Sequence, residues 1–184
     1  MTVEPALLRQ TIVLVGLMGV GKTSVGRRLA AVLGLPFRDA DEEVEKAAGR
    51  SVSDIFAELG EAAFRAGERR VIARLLDEPP HVLATGGGAF MNDETRALIK
   101  HKAVSVWLKA DIDVLVARVA RKTDRPLLQG KDAGLVLQDL ARIRDPVYAL
   151  ADITVDSVES PHAFTVNAIV DALRARAAAK GTPS

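Results

Sequence analysis

The fold is decided by residues 11–23, which read TIVLVGLMGVGKT. Residues 12–15 form a short apolar run with β-branched side chains, which is typical of a strand buried on both faces. A glycine-rich segment follows, and residues 22–33 then carry apolar side chains on one helical stripe that ends before Gly34. The pattern predicts a strand, a glycine loop and an amphipathic helix, with the inward positions Val25, Leu29, Val32 and Leu33.

The glycine loop at residues 16–23 matches the spacing G-x-x-x-x-G-K-[S/T] between a predicted strand and a predicted helix. In such a loop backbone N–H groups converge on phosphate oxygens, and the start of the helix adds its positive dipole end. Lys22 can then reach the β- and γ-phosphates, and Thr23 can ligate Mg²⁺. A glycine-rich turn beside a solvated lysine is the alternative. The full pattern in its required context predicts a nucleoside triphosphate with Mg²⁺ as the ligand.

Beyond the loop, strand patterns alternate with helix patterns. Further strands are predicted at residues 35–38, 81–85, 103–108 and 153–155. Further helices are predicted at residues 42–48, 53–59, 61–76, 92–100, 111–121, 135–143 and 160–179. This alternation predicts an α/β fold with a central five-stranded parallel sheet flanked by helices, in a single domain over residues 1–184. The polar segment 122–134 has the length of a mobile lid, and residues 1–8 and 180–184 are expected to be frayed.

Composition excludes several classes of protein. The 184 residues are 48% hydrophobic and carry a formal charge of +1, so neither disorder nor a strong polyanion-binding field is expected. Because the chain has no cysteine, disulfide frameworks, thiolate metal sites and a cysteine nucleophile are excluded. The apolar run at residues 11–20 is too short to span a bilayer and lacks the features of a signal peptide. We expect a cytoplasmic monomer that acts on small molecules, without nucleic-acid or membrane partners.

The end of the third predicted strand separates classes of phosphate-binding protein. A motor ATPase would usually have an acidic pair there, whereas this strand runs into Gly86, Gly87 and Gly88. A guanine clamp is also missing, because neither Asn92 nor Asn167 is followed by lysine. Three consecutive glycines let the backbone approach a ligand closely and offer N–H donors, which suits a small polar acceptor beside the γ-phosphate. A flexible turn is the alternative.

Two aspartates follow the second predicted strand. Asp39 and Asp41 would point to opposite sides if the strand continued, so that one could serve the metal and the other the acceptor. A calcium loop is excluded, because Val44 and Arg50 occupy the positions that need glycine and glutamate. A pair of N-caps for the helix from Glu42 is the alternative.

Several arginines could bind anionic groups. Glu68 follows Arg65 at i+3, a spacing that could hold the guanidinium in one rotamer for a carboxylate, with a surface ion pair as the alternative. Arg118 and Arg125 flank the start of the lid segment, and Arg144 follows the next helix. A planar guanidinium suits phosphate and carboxylate, although solvation is the default for each of these side chains.

Taken in order, these motifs resemble those of the shikimate kinases, a family of the nucleoside monophosphate kinase-like P-loop group. The resemblance covers roughly residues 11–170. It is carried by the loop at 16–23, Asp39-Ala40-Asp41, FRAGE at 64–68, Gly86-Gly87-Gly88, RPLL at 125–128, and Arg144 ahead of Pro146 and Tyr148.

The resemblance implies transfer of the ATP γ-phosphoryl group to the 3-hydroxyl of shikimate, in the chorismate route to aromatic amino acids. It implies a nucleotide site at Gly19, Val20, Gly21, Lys22, Thr23, Ser24, Arg118, Arg125 and Pro161, and a shikimate site at Asp41, Phe56, Phe64, Arg65, Glu68, Gly86, Gly87, Gly88 and Arg144. By the same resemblance, Thr23 would ligate Mg²⁺ and Asp39 would act on it through water. The implied catalytic residues are Lys22, Asp41 and Arg125.

The resemblance also implies individual roles. Arg65 and Arg144 would bind the shikimate carboxylate, Asp41 its hydroxyls, and Phe56 and Phe64 would wall the pocket. Whether Asp41 accepts the hydroxyl proton or only orients the hydroxyl stays open. The alternatives are a gluconate or nucleoside monophosphate kinase on the same scaffold, and a nucleotide-binding protein without catalysis.

Overall fold

The structure is a computed structural model that describes residues 9–121, 128, 130–157 and 162–181. The strands are β1 (Thr11–Val15), β2 (Phe37–Asp39), β3 (Val82–Ala84), β4 (Ala103–Lys109) and β5 (Ile153–Asp156). The helices are α1 (Lys22–Leu33), α2 (Ala40–Ala48), α3 (Val52–Leu75), α4 (Asp93–Lys102), α5 (Ile112–Val119), α6 (Ala133–Tyr148) and α7 (His162–Gly181). A 3₁₀ turn, Ala89–Met91, lies between β3 and α4.

The strands form one five-stranded parallel sheet in the order β2-β3-β1-β4-β5. In the centre, Leu14 of β1 pairs with Ala84 of β3 on one side and with Val106 of β4 on the other. Parallel neighbours need crossover connections, and the helices supply them, so the helices flank the sheet. The predicted fold class is confirmed.

Burial of the central strand explains its unbroken apolar run. All five residues of β1 are buried. In α1, Val25, Leu29 and Leu33 are buried as predicted, but the prediction for Val32 is wrong, since it is 51% exposed. Gly26 and Ala30 complete the buried face of α1, and they rotate that face away from Val32.

Several element boundaries differ from the sequence predictions. β2 begins only at Phe37, and α2 follows it directly at Ala40. Asp39 and Asp41 therefore do not alternate along a strand, and the predicted placement on opposite strand faces is wrong. The two helices predicted around Gly60 form α3, which kinks at that residue (φ 84°). α6 continues past Pro146 to Tyr148, which is fully buried and so holds the last turn against the core.

Parts of the predicted lid and tails lie outside the described residues. In the predicted lid segment 122–134, residues 122–127 and 129 lie outside the described residues. Residues 133–134 begin α6. Residues 1–8 and 182–184 also lie outside, while α7 continues through residues 180–181. Within the described ranges, no helix is both long and apolar enough to cross a membrane.

The packing of Gly26 makes a first prediction. A Cβ at this position would lie 2.6 Å from Phe37 Cε2 and 3.2 Å from Leu14 Cδ1. Overpacking costs roughly 1–3 kcal/mol, which exceeds the ~1 kcal/mol that alanine gains in helix propensity. We expect Gly26→Ala to lower the free energy of unfolding, measured by urea titration, by about 1 kcal/mol.

Gly67→Ala in α3 is the matched control, because a Cβ at Gly67 meets no described atom within 4 Å. This second variant should raise the free energy of unfolding by about 0.5–1 kcal/mol through helix propensity alone. Equal effects of the two substitutions would contradict the close packing of α1 on β1 and β2.

Candidate active site

Two glycine segments meet at the carboxyl edge of the sheet. The loop at residues 16–21 leaves β1, and the turn at residues 86–88 follows the adjacent strand β3. Thr85 joins the two strands at this edge, since its backbone N and its Oγ1 both donate to the Leu14 carbonyl oxygen, at 3.2 and 2.8 Å. A ligand bound on one segment therefore lies beside a ligand bound on the other.

The loop between β1 and α1 is shaped for an anion. Gly19 and Gly21 have φ of 82° and 98°, a backbone conformation that favours glycine. α1, described in full, has neither a side-chain N-cap nor an acidic residue in its first turn, so its N–H groups and dipole face the loop. The Lys22 Nζ donates to the carbonyl oxygens of Gly16 (2.7 Å) and Leu17 (3.0 Å). This arrangement concentrates positive charge at the loop.

A cavity of about 400 Å³ opens over this loop. It is lined by Met18, Gly19, Gly21, Lys22, Thr23, Ser24, Asp39, Asp41, Thr85, Gly86, Gly87, Arg118, Arg121 and His162. The cavity thus brings together most of the residues predicted for the nucleotide and metal with part of the glycine turn. Val20, predicted with them, is fully buried under the loop. Arg125 and Pro161 lie outside the described residues.

Asp39 connects the loop with α2. Its Oδ2 accepts a hydrogen bond from Thr23 Oγ1 at 2.7 Å, while its Oδ1 accepts from the backbone N of Asp41 (3.0 Å) and of Glu42 (3.4 Å). Asp39 is therefore the N-cap of α2, the alternative that the sequence left open, and it also faces the cavity. The N-cap alternative does not extend to Asp41, which lies within the first turn of α2.

The oxygens of Thr23 and Asp39 fit a Mg²⁺ ion. Mg²⁺ prefers hard oxygen ligands and is usually held by one or two protein groups together with substrate phosphates and waters. In the described part of the chain, no group of three or more histidine, cysteine, aspartate or glutamate side chains could hold a metal by itself. A hydroxyl and a carboxylate beside a phosphate loop are what a metal shared with a nucleotide requires.

Arg118 lies on the rim of the same cavity. Its Nη1 donates to the carbonyl oxygens of Val20 (3.1 Å) and Gly19 (3.4 Å). These contacts hold the guanidinium next to the phosphate loop, the predicted nucleotide site.

His162, the first residue of α7, also lines the cavity and was not predicted. Burial, together with Arg28 and Arg118, lowers the pKa of His162 below its usual value. The imidazole is therefore mostly neutral at pH 7. In the sequence, only the position of His162 directly after Pro161 could have placed it near the nucleotide site.

A smaller cavity of about 80 Å³ adjoins the first through Met18, Asp41, Gly86 and Gly87. It is lined by Met18, Asp41, Val52, Phe56, Phe64, Arg65, Gly86, Gly87, Gly88 and Arg144. The rings of Phe56 and Phe64 pack at a centroid distance of 4.8 Å. Every residue predicted for the acceptor except Glu68 lines this cavity, whereas Met18 and Val52 were missed.

Glu68 lies behind the cavity and holds Arg65. Its Oε2 accepts from Arg65 Nη1 at 2.9 Å, and Glu61 accepts from Arg65 Nη2 at 3.3 Å. The surface ion pair that the sequence left as an alternative is wrong, because Glu68 is only 2% exposed. Burial raises the pKa of Glu68, while Arg65 opposes this rise. The acid fixes the direction of the Arg65 guanidinium.

The three glycines of the turn leave space for these charged side chains. An ideal Cβ would lie 2.7 Å from Glu68 Oε1 at Gly86, 3.1 Å from Arg144 Nη1 at Gly87, and 2.5 Å from the guanidinium carbon of Arg65 at Gly88. None of the three has a positive φ. Glycine allows the charged side chains to approach closely here, and no unusual backbone angle calls for it.

Tyr148 lies under the turn and was missed as a site residue. Its hydroxyl donates to the Gly87 carbonyl oxygen, and its side chain is fully buried. Burial raises the pKa of Tyr148 to about 12, so the hydroxyl stays a donor at neutral pH. Arg144, one helical turn earlier on α6, is 8% exposed. The i, i+4 spacing of Arg144 and Tyr148 was the sequence signal that could have placed Tyr148 near the site.

Comparisons with known proteins identify the family of this chain. A family model described as shikimate kinase matches residues 18–174. Shikimate kinase from Caulobacter vibrioides (strain NA1000 / CB15N) is 71% identical over 168 residues, which cover 91% of this chain and 84% of that protein. Shikimate kinase from Bradyrhizobium diazoefficiens is 57% identical over 170 residues, covering 92% of this chain and 82% of that protein.

Comparison with solved structures indicates the same family. The shikimate kinase from Acinetobacter baumannii in complex with shikimate matches with a TM-score of 0.88 and 36% identity, covering 91% of this chain and 94% of that one. A gluconokinase from Sinorhizobium meliloti 1021 matches with a TM-score of 0.59 and 22% identity, covering 93% and 95%, which shows a shared fold alone. The chain belongs to the shikimate kinase family.

Proposed function

We propose that the protein transfers the γ-phosphoryl group of ATP to the 3-hydroxyl of shikimate, giving shikimate 3-phosphate and ADP in the chorismate route. The observation that carries this proposal is the junction of two cavities, a phosphate cavity over the loop and a small cavity with two arginines, at Gly86 and Gly87. The relative from Acinetobacter baumannii was solved in complex with shikimate.

The phosphate loop would bind the nucleotide through charge and backbone amides. The N–H groups of the loop and of α1 would face the phosphate oxygens, and Lys22 would move from its contacts on Gly16 and Leu17 to the transferring group. Thr23 and Asp39 would hold Mg²⁺, whose charge offsets that of the β- and γ-phosphates when it is bound. Arg118 would lie beside the adenine, opposite Pro161.

The smaller cavity would bind the acceptor through two fixed guanidinium groups. Arg65, held by Glu68, and Arg144, packed against Gly87, would share the shikimate carboxylate. Asp41 would contact the ring hydroxyls, while Phe56 and Phe64 would cover the ring. A cyclic acid with hydroxyl groups matches this pairing of positive charge and apolar surface.

Catalysis would rest on positioning and charge compensation. Phosphoryl transfer passes through a loose transition state and needs little covalent help from the protein. Lys22 and Arg125 would offset charge on the transferring group, and Asp41 would orient the 3-hydroxyl or accept its proton. Closure of segment 122–134 would exclude water and so limit hydrolysis of ATP.

We also propose a single kinase domain that works as a cytoplasmic monomer. All five strands belong to one sheet, which supports a single domain. The formal charge of +1 gives no long-range attraction to nucleic acids or membranes.

ADP release with candidate acceptors tests the proposed function. We expect shikimate to stimulate ADP release, while gluconate, nucleoside monophosphates and buffer alone do not. Lys22→Ala should lower kcat by about 10²-fold or more, because it removes a donor aimed at developing charge. Lys100→Ala, which removes an exposed lysine from α4, is the control and should keep wild-type kcat. Stimulation by another acceptor, or none, would refute the assignment of shikimate.

Arg65→Lys should weaken shikimate binding. A lysine replaces a two-pronged contact by a point charge, and a hydrogen bond between charged groups is worth about 1.5–3 kcal/mol. We expect KM for shikimate to rise about 10- to 150-fold with KM for ATP unchanged. Arg70→Lys, on the exposed side of the same helix, is the control. If the two variants have the same KM for shikimate, Arg65 does not bind the carboxylate.

Asp39→Asn separates metal binding from helix capping. Asparagine caps a helix as well as aspartate does, so the Tm should stay unchanged. The loss of negative charge should raise the Mg²⁺ concentration for half-maximal activity about 10-fold or more. A lower Tm with an unaltered Mg²⁺ dependence would leave Asp39 as a cap only.

A further inference from the structure

Tyr148 is the only tyrosine of the chain and lies beneath the glycine turn. Its side chain is fully buried, yet it lines neither cavity of the proposed site. Its hydroxyl donates to the carbonyl oxygen of Gly87, a residue that lines both cavities. The hydroxyl also interacts with the Arg144 side chain, so it acts on the site through the Gly87 backbone and through Arg144.

Tyr148 and Arg144 approach the same glycine from one helix. They lie four residues apart on α6, so they lie on one face of the helix. Arg144 Nη1 lies 3.1 Å from the position that an ideal Cβ on Gly87 would occupy. The Tyr148 hydroxyl donates to the Gly87 carbonyl oxygen. The position of α6 therefore sets both the guanidinium proposed for the carboxylate and the peptide beside it.

The hydrogen bond between Tyr148 and Gly87 also orients the N–H group of the next residue, Gly88. In a planar trans peptide the C=O of Gly87 and the N–H of Gly88 point to opposite sides. Since the carbonyl is drawn toward the buried Tyr148, the N–H of Gly88 points away from it, and Gly88 lines the smaller cavity. Among the described residues, none accepts a hydrogen bond from this N–H.

The surroundings make Tyr148 a rigid support. Its ring packs against Trp107 of β4 at 5.9 Å and against Phe90 of the 3₁₀ turn at 6.5 Å between centroids. β4 pairs directly with β1, the strand that carries the phosphate loop. The hydroxyl is thus fixed relative to the sheet.

We infer that Tyr148 is a positioning residue for the phosphoryl acceptor: it fixes the Gly87–Gly88 peptide so that the Gly88 N–H, together with Arg144, faces the acceptor. The inference rests on the proposed function, because the acceptor is the molecule bound in the smaller cavity. It assigns Tyr148 no contact with either substrate.

Tyr148→Phe tests the inference, because it keeps the ring and removes only the hydroxyl. We expect KM for shikimate to rise about 5- to 10-fold, with KM for ATP unchanged. Ser105→Ala is the matched control, since Ser105 also makes a buried hydroxyl hydrogen bond, to Asp152 at 3.0 Å, but on β4 and away from the turn. This control should lower the Tm and leave both KM values unchanged.

A second measurement needs no destabilising variant. Because the chain has one tyrosine, 3-fluorotyrosine labels this position alone. The ¹⁹F resonance of the labelled wild type should shift when shikimate is added and stay in place when ADP is added. This readout holds even if Tyr148→Phe fails to fold.

The outcomes separate the inference from the proposed function. Wild-type protein without shikimate-dependent ADP release overturns the proposed function and the inference with it. An active wild type with a Tyr148→Phe variant that loses only Tm, or that raises both KM values equally, overturns the inference alone. A ¹⁹F resonance that responds to ADP and not to shikimate does the same.

Discussion

The parallel pairing of β1 with β3 places the two glycine segments of this protein side by side. Adjacent strands lie about 4.8 Å apart, so one strand inserted between them would separate the segments by roughly 10 Å. The observed contact is close, since an ideal Cβ at Gly87 lies 3.6 Å from the Gly16 carbonyl oxygen. Transfer of a phosphoryl group needs reacting groups in contact. The proposed chemistry therefore depends on this strand order.

Absence of side chains at the glycine turn allows charge to gather around it. Arg65, Arg144 and Glu68 all approach the turn to distances that a Cβ would obstruct. The two arginines would repel each other, and the buried Glu68 offsets this repulsion while it holds Arg65. A chain with a net charge of +1 can thus bind anions, because the charge is local.

Predictions from the sequence succeeded where one local pattern determines the outcome. The apolar run of β1, the glycine loop and the start of α1 agree with the structure, since each depends on neighbouring residues. Predictions failed where packing decides. Val32 is exposed because Gly26 and Ala30 turn the buried face of α1 away from it. Asp39 ends a strand and caps a helix, a junction that the alternation of strand faces does not reveal.

The fold class, the phosphate loop and the family can be read from the amino-acid sequence, because they follow from local spacing and from motifs in a fixed order. The burial of Glu68 behind Arg65 and the hydrogen bond from the Tyr148 hydroxyl to Gly87 become visible only in the folded chain. These contacts join α3 and α6 to a turn after β3, segments far apart in the chain. Their distances depend on how the helices pack on the sheet, which no local pattern encodes.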